Sequence, residues 1–367
     1  MLNTFFSKLK LVAKLSLLTG LMFISVSSKA ESLVELSKPL NIDPEQTSVS
    51  GVSSGAFMAV QLQIIYSQNI MGAGVIAGGP YRCAAGKYLA RWLDFTGMYT
   101  MLSVCTHTTP ALWKRSANPD VDFSVRETKR LAQAGLIDDP TYLARQKVWM
   151  FSGAKDPLVP TQVMDSLNAY YQSFMPAENI AYIKNPNASH GMITDSYGGA
   201  CKLALPPFIN DCDLDAAGAL LQQIYGSLHT KTEAKSTNLH TFDQQAFFDP
   251  KDPSISMHRN AHIYIPTACK NGARCKLHIA LHGCSQTEDL IGDMFYTQAG
   301  YNAWAESNNL IVLYPQTKVW LGASFTADAQ RNFQACWDWW GYSGEHYADK
   351  QGKQIRALGQ MMNALVN

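Results

Sequence analysis

The sequence predicts an α/β protein with a mostly parallel sheet covered by helices on both faces. Three observations lead there. Short apolar runs of strand length recur along the chain, at 73–78 (AGVIAG), 147–151 (KVWMF) and 310–314 (LIVLY). Stretches with apolar residues at helical spacing fall between them. No internal repeat interrupts the alternation. Uninterrupted apolar strands suit a sheet buried on both faces, and amphipathic helices supply the crossovers between parallel strands.

In chain order, the first segment reads as an address rather than as part of the fold. Lys8, Lys10 and Lys14 lead into an apolar run over 15–26, and Ser28-Lys29-Ala30 supplies small residues where a signal peptidase reads. This is the pattern of a secretory leader; the run falls short of the ~20 apolar residues that span a bilayer. Removing 1–30 leaves 367 − 30 = 337 residues. They are read as a single catalytic domain over 31–367, monomeric, secreted and without a membrane span.

Residues 46–51 (QTSVSG) read as a short strand entering a turn, with a helix over 56–66 behind it. The strand 73–78 is closed by Gly79-Pro80. A helix is expected over 124–134, a strand at 147–151, a helix over 160–174, a short strand at 180–183 and a helix over 214–225. The polar stretch 230–239 (TKTEAKSTNL) reads as a linker. Beyond it, strands are expected at 262–265, 277–281 and 310–314, with a helix over 291–307 between the last two. An irregular segment over 322–340 and a closing helix over 354–366 complete the chain.

Thirty Lys and Arg against 29 Asp and Glu leave no basic stripe of the kind that nucleic acid needs. A charged fraction of 16% and an aromatic fraction of 11% argue for a packed chain rather than a disordered one. The eight cysteines behind a leader read as disulfides. Pairing neighbours gives Cys83–Cys105, Cys201–Cys212 and Cys269–Cys275, and leaves Cys284–Cys336, although sequence does not fix this connectivity. Their scatter, without a CxxC, speaks against a zinc site.

The chemistry starts at Gly51-Val52-Ser53-Ser54-Gly55, a G-x-S-x-G match placed between a strand and a helix. That context suits a nucleophile on a tight, strained turn, where glycines permit close packing around the serine. A serine hydroxyl needs a base, a group that orients the base, and donors for the oxyanion. Asp156 follows the strand 147–151, on the loop where an acid would sit; Asp195 is the second choice. His190 follows the strand 180–183 and completes the order Ser…Asp…His. The Ser54 N–H is the first oxyanion donor. The strand 277–281 runs into His282-Gly283-Cys284-Ser285, which offers the Cys284 N–H as the second; His282 is expected to brace that loop rather than move protons. No metal and no cofactor is required.

α/β-Hydrolases place the oxyanion loop before the nucleophile, whereas here it comes 284 − 53 = 231 residues after it. The strands 277–281 and 310–314 then read as the third and fourth of a hydrolase sheet and 46–51 as the fifth. The order is that of a circularly permuted α/β-hydrolase fold, with the join near 227–245. Permutation is tolerated where chain ends lie close and the new break is exposed.

In this rotation, and in GVSSGA (51–56), SGAKDPLV (152–159), SHGM (189–192), LHGCSQ (281–286) and CWDWW (336–340), the chain resembles the circularly permuted, single-domain poly(3-hydroxybutyrate) depolymerases. The likeness runs from about residue 45 to the end. It implies a triad of Ser53, Asp156 and His190, oxyanion N–H groups at Ser54 and Cys284, and a polyester of short 3-hydroxyacids bound in a surface crevice. Trp337 would wall that crevice, with Trp339 and Trp340 as further candidates; core packing is the alternative for all three. Many depolymerases of other architectures carry a Thr-rich linker and a polymer-binding domain. None follows Asn367, so adsorption is expected to use the catalytic domain's own surface. A secreted feruloyl or acetyl-carbohydrate esterase and a non-catalytic binding protein remain the rival readings.

Overall fold

The strand that leads to Ser53, β1 (Asn41–Val52), is buried over its last six residues and lies inside an eight-stranded sheet. The other strands of that sheet are β2 (Ile70–Ile76), β3 (Lys147–Gly153), β4 (Ile180–Asn185), β8 (Leu239–Asp243), β9 (Asn260–Tyr264), β10 (Arg274–Leu281) and β11 (Leu310–Tyr314). A separate three-stranded sheet holds β5 (Met192–Thr194), β6 (Gly199–Ala200) and β7 (Ile209–Asp211). The computed structural model describes residues 31–85, 97–106, 108, 118–322 and 331–366. The leader expected over 1–30 and part of the irregular segment expected over 322–340 lie outside the described residues.

The large sheet runs β4-β3-β2-β1-β10-β11-β9-β8. All neighbours pair in parallel except β11 with β9 and β9 with β8. Counted from β8, these strands occupy the first, second, fourth, third, fifth and later places of an α/β-hydrolase sheet. The chain enters at the fifth, so the fold is a circularly permuted α/β-hydrolase.

Alternation along the strands explains why helices cover both faces. On β11, Leu310, Val312 and Tyr314 pack into one apolar layer while Ile311 and Leu313 pack into the other. On β3, Trp149 and Phe151 face the first layer, and Val148 and Met150 the second. The first layer is closed by helix Ala216–Tyr225 and by Trp304 and Phe295. The second is closed by helices Ser54–Ile65, Thr161–Gln172 and Lys353–Val366.

Two expectations change. The helix expected over 291–307 is three short ones, Glu288–Ile291, Met294–Gln298 and Tyr301–Asn308. Gly292 and Gly300, both in the left-handed region, separate them. The stretch read as a linker over 230–239 ends in β8, whose residues pair with β9 at the sheet edge.

The disulfides are Cys83–Cys105, Cys201–Cys212, Cys269–Cys275 and Cys284–Cys336, as neighbour pairing gives them. Among the described residues no helix is long and apolar enough to cross a membrane.

Candidate active site

Register brings the chemistry to one edge of the sheet. Gly51 of β1 pairs with Leu281 of β10, and Val52 with Ile76 of β2. The carboxyl ends of three adjacent parallel strands therefore finish level, where open α/β sheets bind their ligands.

At the end of β1 the chain turns abruptly into helix Ser54–Ile65. Ser53 makes this turn at φ 56° and ψ −124°, a conformation costly for a residue with a side chain. Its N–H donates to the Ile76 carbonyl at 2.9 Å, and its own carbonyl accepts the first helical bonds from Ala56 and Phe57. The flanking glycines are required by contact. A Cβ on Gly51 would lie 2.2 Å from the Gly55 carbonyl, and one on Gly55 would lie 2.3 Å from the Leu281 oxygen. Gly55 thus lets the helix start press against the end of β10.

Asp156 and His190 meet. Asp156, on the loop after β3, is clamped by the N–H groups of Leu158 and Val159, which donate to its Oδ1 at 2.8 and 2.9 Å. Its Oδ2 accepts from His190 Nδ1 at 2.8 Å. Both side chains are buried. A carboxylate that accepts at Nδ1 leaves Nε2 as the acceptor end of the imidazole. His190 and Ser53 line the same cavity of about 530 Å³, together with Ser54, Gly283 and Cys284.

The loop after β10 is pinned from several sides. His282 is fully buried; its Nδ1–H donates to the Gly283 carbonyl at 2.7 Å, and its Nε2 accepts from the Thr317 N–H at 3.2 Å. Burial pushes this imidazole down to about 4, which keeps the neutral form that both contacts need. In a trans peptide the N–H points opposite to the preceding carbonyl. The His282 bond to the Gly283 carbonyl therefore leaves the Cys284 N–H pointing away from the His282 ring. Gln286 Oε1 accepts from the Gly283 N–H at 2.7 Å, while its Nε2 donates to the carbonyls of Pro207 and Phe208. The loop approaches Ser53 so closely that a Cβ on Gly283 would stand 3.2 Å from Ser53 Cβ.

No protein-family model matches the chain. Among curated proteins, it is 41% identical over 329 residues to the poly(3-hydroxybutyrate) depolymerase of Delftia acidovorans, across 88% of this chain and 60% of that protein. It therefore spans about three fifths of the length of that relative. With the polyhydroxybutyrate depolymerase of Talaromyces funiculosus it shares 33% identity over 335 residues, covering 89% of this chain and 91% of the other. The chain belongs to the polyhydroxybutyrate depolymerase family. A crystal structure of the PHB depolymerase from Penicillium funiculosum superposes with a TM-score of 0.76 at 31% identity, over 89% of this chain and 97% of that one. A serine-to-alanine variant of a PHB depolymerase, complexed with an R3HB trimer, superposes equally well.

Against this depolymerase framework the tryptophans need correction. Trp337 does not wall the cavity: it is fully buried, and its Nε1–H donates to the His282 carbonyl at 3.0 Å. The Cys284–Cys336 disulfide and the bond from the Trp337 N–H to Ser54 Oγ draw it beneath the loop after β10. Trp339 and Trp340 line the cavity instead, Trp339 stacked on Phe57 with ring centroids 3.8 Å apart. The turn that carries them round is built on buried Asp338, which accepts from the N–H groups of Gly341, Tyr342 and Ser343. Burial raises the Asp338 carboxyl above its ordinary range.

The remaining candidates lie elsewhere. Asp195 pairs with Lys231 at 2.6 Å. His278 is fully buried between Ser48 and Ser50, which in turn meet Tyr225 and Tyr301. None of these groups lines the cavity; the contacts tie β1 to β10. Among the described residues no cluster of three or more His, Cys, Asp or Glu is arranged to hold a metal ion. Sequence reasoning missed Gln286, which stood in the LHGCSQ motif without a role. It also missed the cavity walls Met98, Met101 and Phe208, which no local signal marks.

Proposed function

We propose that this chain is a serine esterase that hydrolyses ester bonds of poly(3-hydroxybutyrate) or its oligomers through an acyl-enzyme on Ser53. The observation that carries this reading is the buried Asp156–His190 pair opening on a cavity shared with Ser53 and the Cys284 loop. Membership of the depolymerase family supports that substrate class.

In the proposed mechanism, His190 Nε2 takes the Ser53 proton as Oγ attacks the ester carbonyl. The N–H groups of Ser54 and Cys284 receive the oxyanion, fixed in place before reaction so that no reorganisation is needed. His190 gives its proton to the leaving alkoxide, then activates a water that frees the acyl group as a carboxylic acid. Asp156 holds the imidazole tautomer and stabilises its charged form. Ser54 is a poor nucleophile candidate because it is buried and its Oγ accepts from the Trp337 N–H.

Mostly apolar walls suit a polyester whose units carry methyl groups and no charge. Exposed Phe333 lines the cavity and exposed Leu205 lies three residues before Phe208, which also lines it; both offer an apolar surface for adsorption. Export with removal of 1–30, a single domain over 31–367 and a join near 227–245 belong to the same proposal. The test is incubation with amorphous poly(3-hydroxybutyrate) and, in parallel, with feruloyl and acetyl-sugar esters. Release of 3-hydroxybutyrate and its short oligomers supports the reading; turnover of the sugar or feruloyl esters alone overturns it.

A further inference from the structure

The loop after β10 leaves one backbone donor unused. Of the four N–H groups from Gly283 to Gln286, that of Gly283 donates to Gln286 Oε1 at 2.7 Å, that of Ser285 to the Gln334 carbonyl at 2.6 Å, and that of Gln286 to the Gly283 carbonyl at 3.3 Å. The Cys284 N–H has no acceptor among the described residues, and Cys284 lines the cavity. A backbone N–H is an obligatory hydrogen-bonding group, so a donor held free at a cavity wall is poised for an acceptor on a ligand.

The Gln286 side chain holds this arrangement. Its amide is buried and fully engaged: Oε1 takes the Gly283 N–H, and Nε2 donates to the carbonyls of Pro207 at 3.0 Å and Phe208 at 2.9 Å. The surroundings allow only this orientation, because an N–H must meet the amide oxygen and two carbonyls must meet the NH2 group. The Phe208 carbonyl also accepts from the Met192 N–H at 2.8 Å, two residues beyond His190, and Asn210 Nδ2 donates to the His190 carbonyl at 3.3 Å. Gly283 is wedged between the Gln286 amide and Ser53; a Cβ there would lie 2.8 Å from Gln286 Oε1 and 3.2 Å from Ser53 Cβ. One side chain thus ties the loop that offers the free donor to the segment that carries the histidine.

We propose that Gln286 is a positioning residue for the ester hydrolysis: through the Gly283 N–H it sets where the Cys284 N–H points, and through Pro207 and Phe208 it holds that donor in register with His190. The inference rests on the acyl-enzyme reading above. The amide then acts on the transition state more than on substrate binding, since negative charge reaches the donor only as Ser53 attacks the carbonyl. A glutamate of the same shape could still accept from Gly283, but once ionised it would face two carbonyl oxygens with no proton to offer. Burial favours its neutral form, which can donate to one of them.

The test compares a small aryl ester with its thiono counterpart, in which sulfur replaces the carbonyl oxygen and takes far less from N–H donors. The readout is the ratio of kcat/KM, ester over thiono ester; general damage to a variant and the titration of His190 act on both substrates and cancel. Removing one oxyanion donor costs about 10²–10³ in kcat, and displacing one should cost about 10- to 100-fold. Gln286→Met should lower kcat on the ester by that factor with KM changed less than about threefold, and the ratio should fall with kcat. Gln286→Glu should resemble Gln286→Met at pH 8 and recover toward the wild-type ratio at pH 6, a range in which His282, held down at about 4 by burial, does not titrate. Ester and thiono ester falling together, with the wild-type ratio kept in both variants, overturn the positioning role. Should Gln286→Met not fold, the Gln286→Glu ratio decides alone, and one that matches the wild type at both pH values overturns the role. Ser53→Ala tests the reading beneath: ester turnover that survives it removes the acyl-enzyme, and the positioning role with it.

Discussion

Acidification from pH 7 to pH 5 should cost the fold about 4 kcal/mol through two histidines outside the proton-transfer chemistry. His278 and His282 are fully buried, and desolvation holds them at about 3 and about 4. In the unfolded chain both return to the ordinary value of about 6.5. Each is thus depressed on folding, so the unfolded state binds more protons below pH 6.5. The stability is complete above that pH and is lost as pH falls toward the folded values. At pH 5 each group lies about 1.5 units below its unfolded pKa, which is about 2 kcal/mol. His258 opposes this, because the Glu288 carboxylate 2.8 Å away holds it above its ordinary value and its protonation favours the folded state. Glu288, depressed to about 2, enters only below about pH 4.5. Urea unfolding at pH 7, 6 and 5 measures the fall, and His278→Gln should remove about half of its slope whatever the variant's own stability. A flat profile, or an unchanged slope in that variant, would show that burial does not hold these imidazoles neutral.

Two further outcomes follow from the site. Asp156→Asn should keep the fold and lower kcat about 10⁴-fold on a small ester, because the amide presents the wrong partner to His190 Nδ1; a loss below tenfold would remove Asp156 from the triad. Replacing Cys284 and Cys336 together by Ser opens a loop with a sequence separation of 52. It should cost about 4 kcal/mol in thermal unfolding and lower kcat more than it raises KM. A lower Tm with unchanged kcat would mean that His282 and Gln286 place the donor unaided.

How much was legible in the sequence depends on how local the cause is. The strand 310–314 is read to the residue because all five side chains are apolar and buried on two faces. The meeting of Asp156 with His190 is legible because each follows a strand and the hydrolase order constrains which Asp and which His to choose. β8 escapes because an edge strand is half solvated and Leu239–Asp243 looks like the polar stretch before it. The three-stranded sheet escapes because strands of two or three residues have no period. Which of its two readings Trp337 takes, cavity wall or core, is not legible because CWDWW does not show where its turn lies. That is decided by Asp338 collecting three backbone N–H groups and by the disulfide beside it.

The central claim is that Ser53 forms the covalent intermediate, and an organophosphonate ester probes it directly. Wild type and Ser54→Ala should each take up one label, mapped by mass spectrometry to the peptide containing residue 53, while Ser53→Ala takes up none. Labelling that persists in Ser53→Ala, or that maps to another residue, would contradict the account.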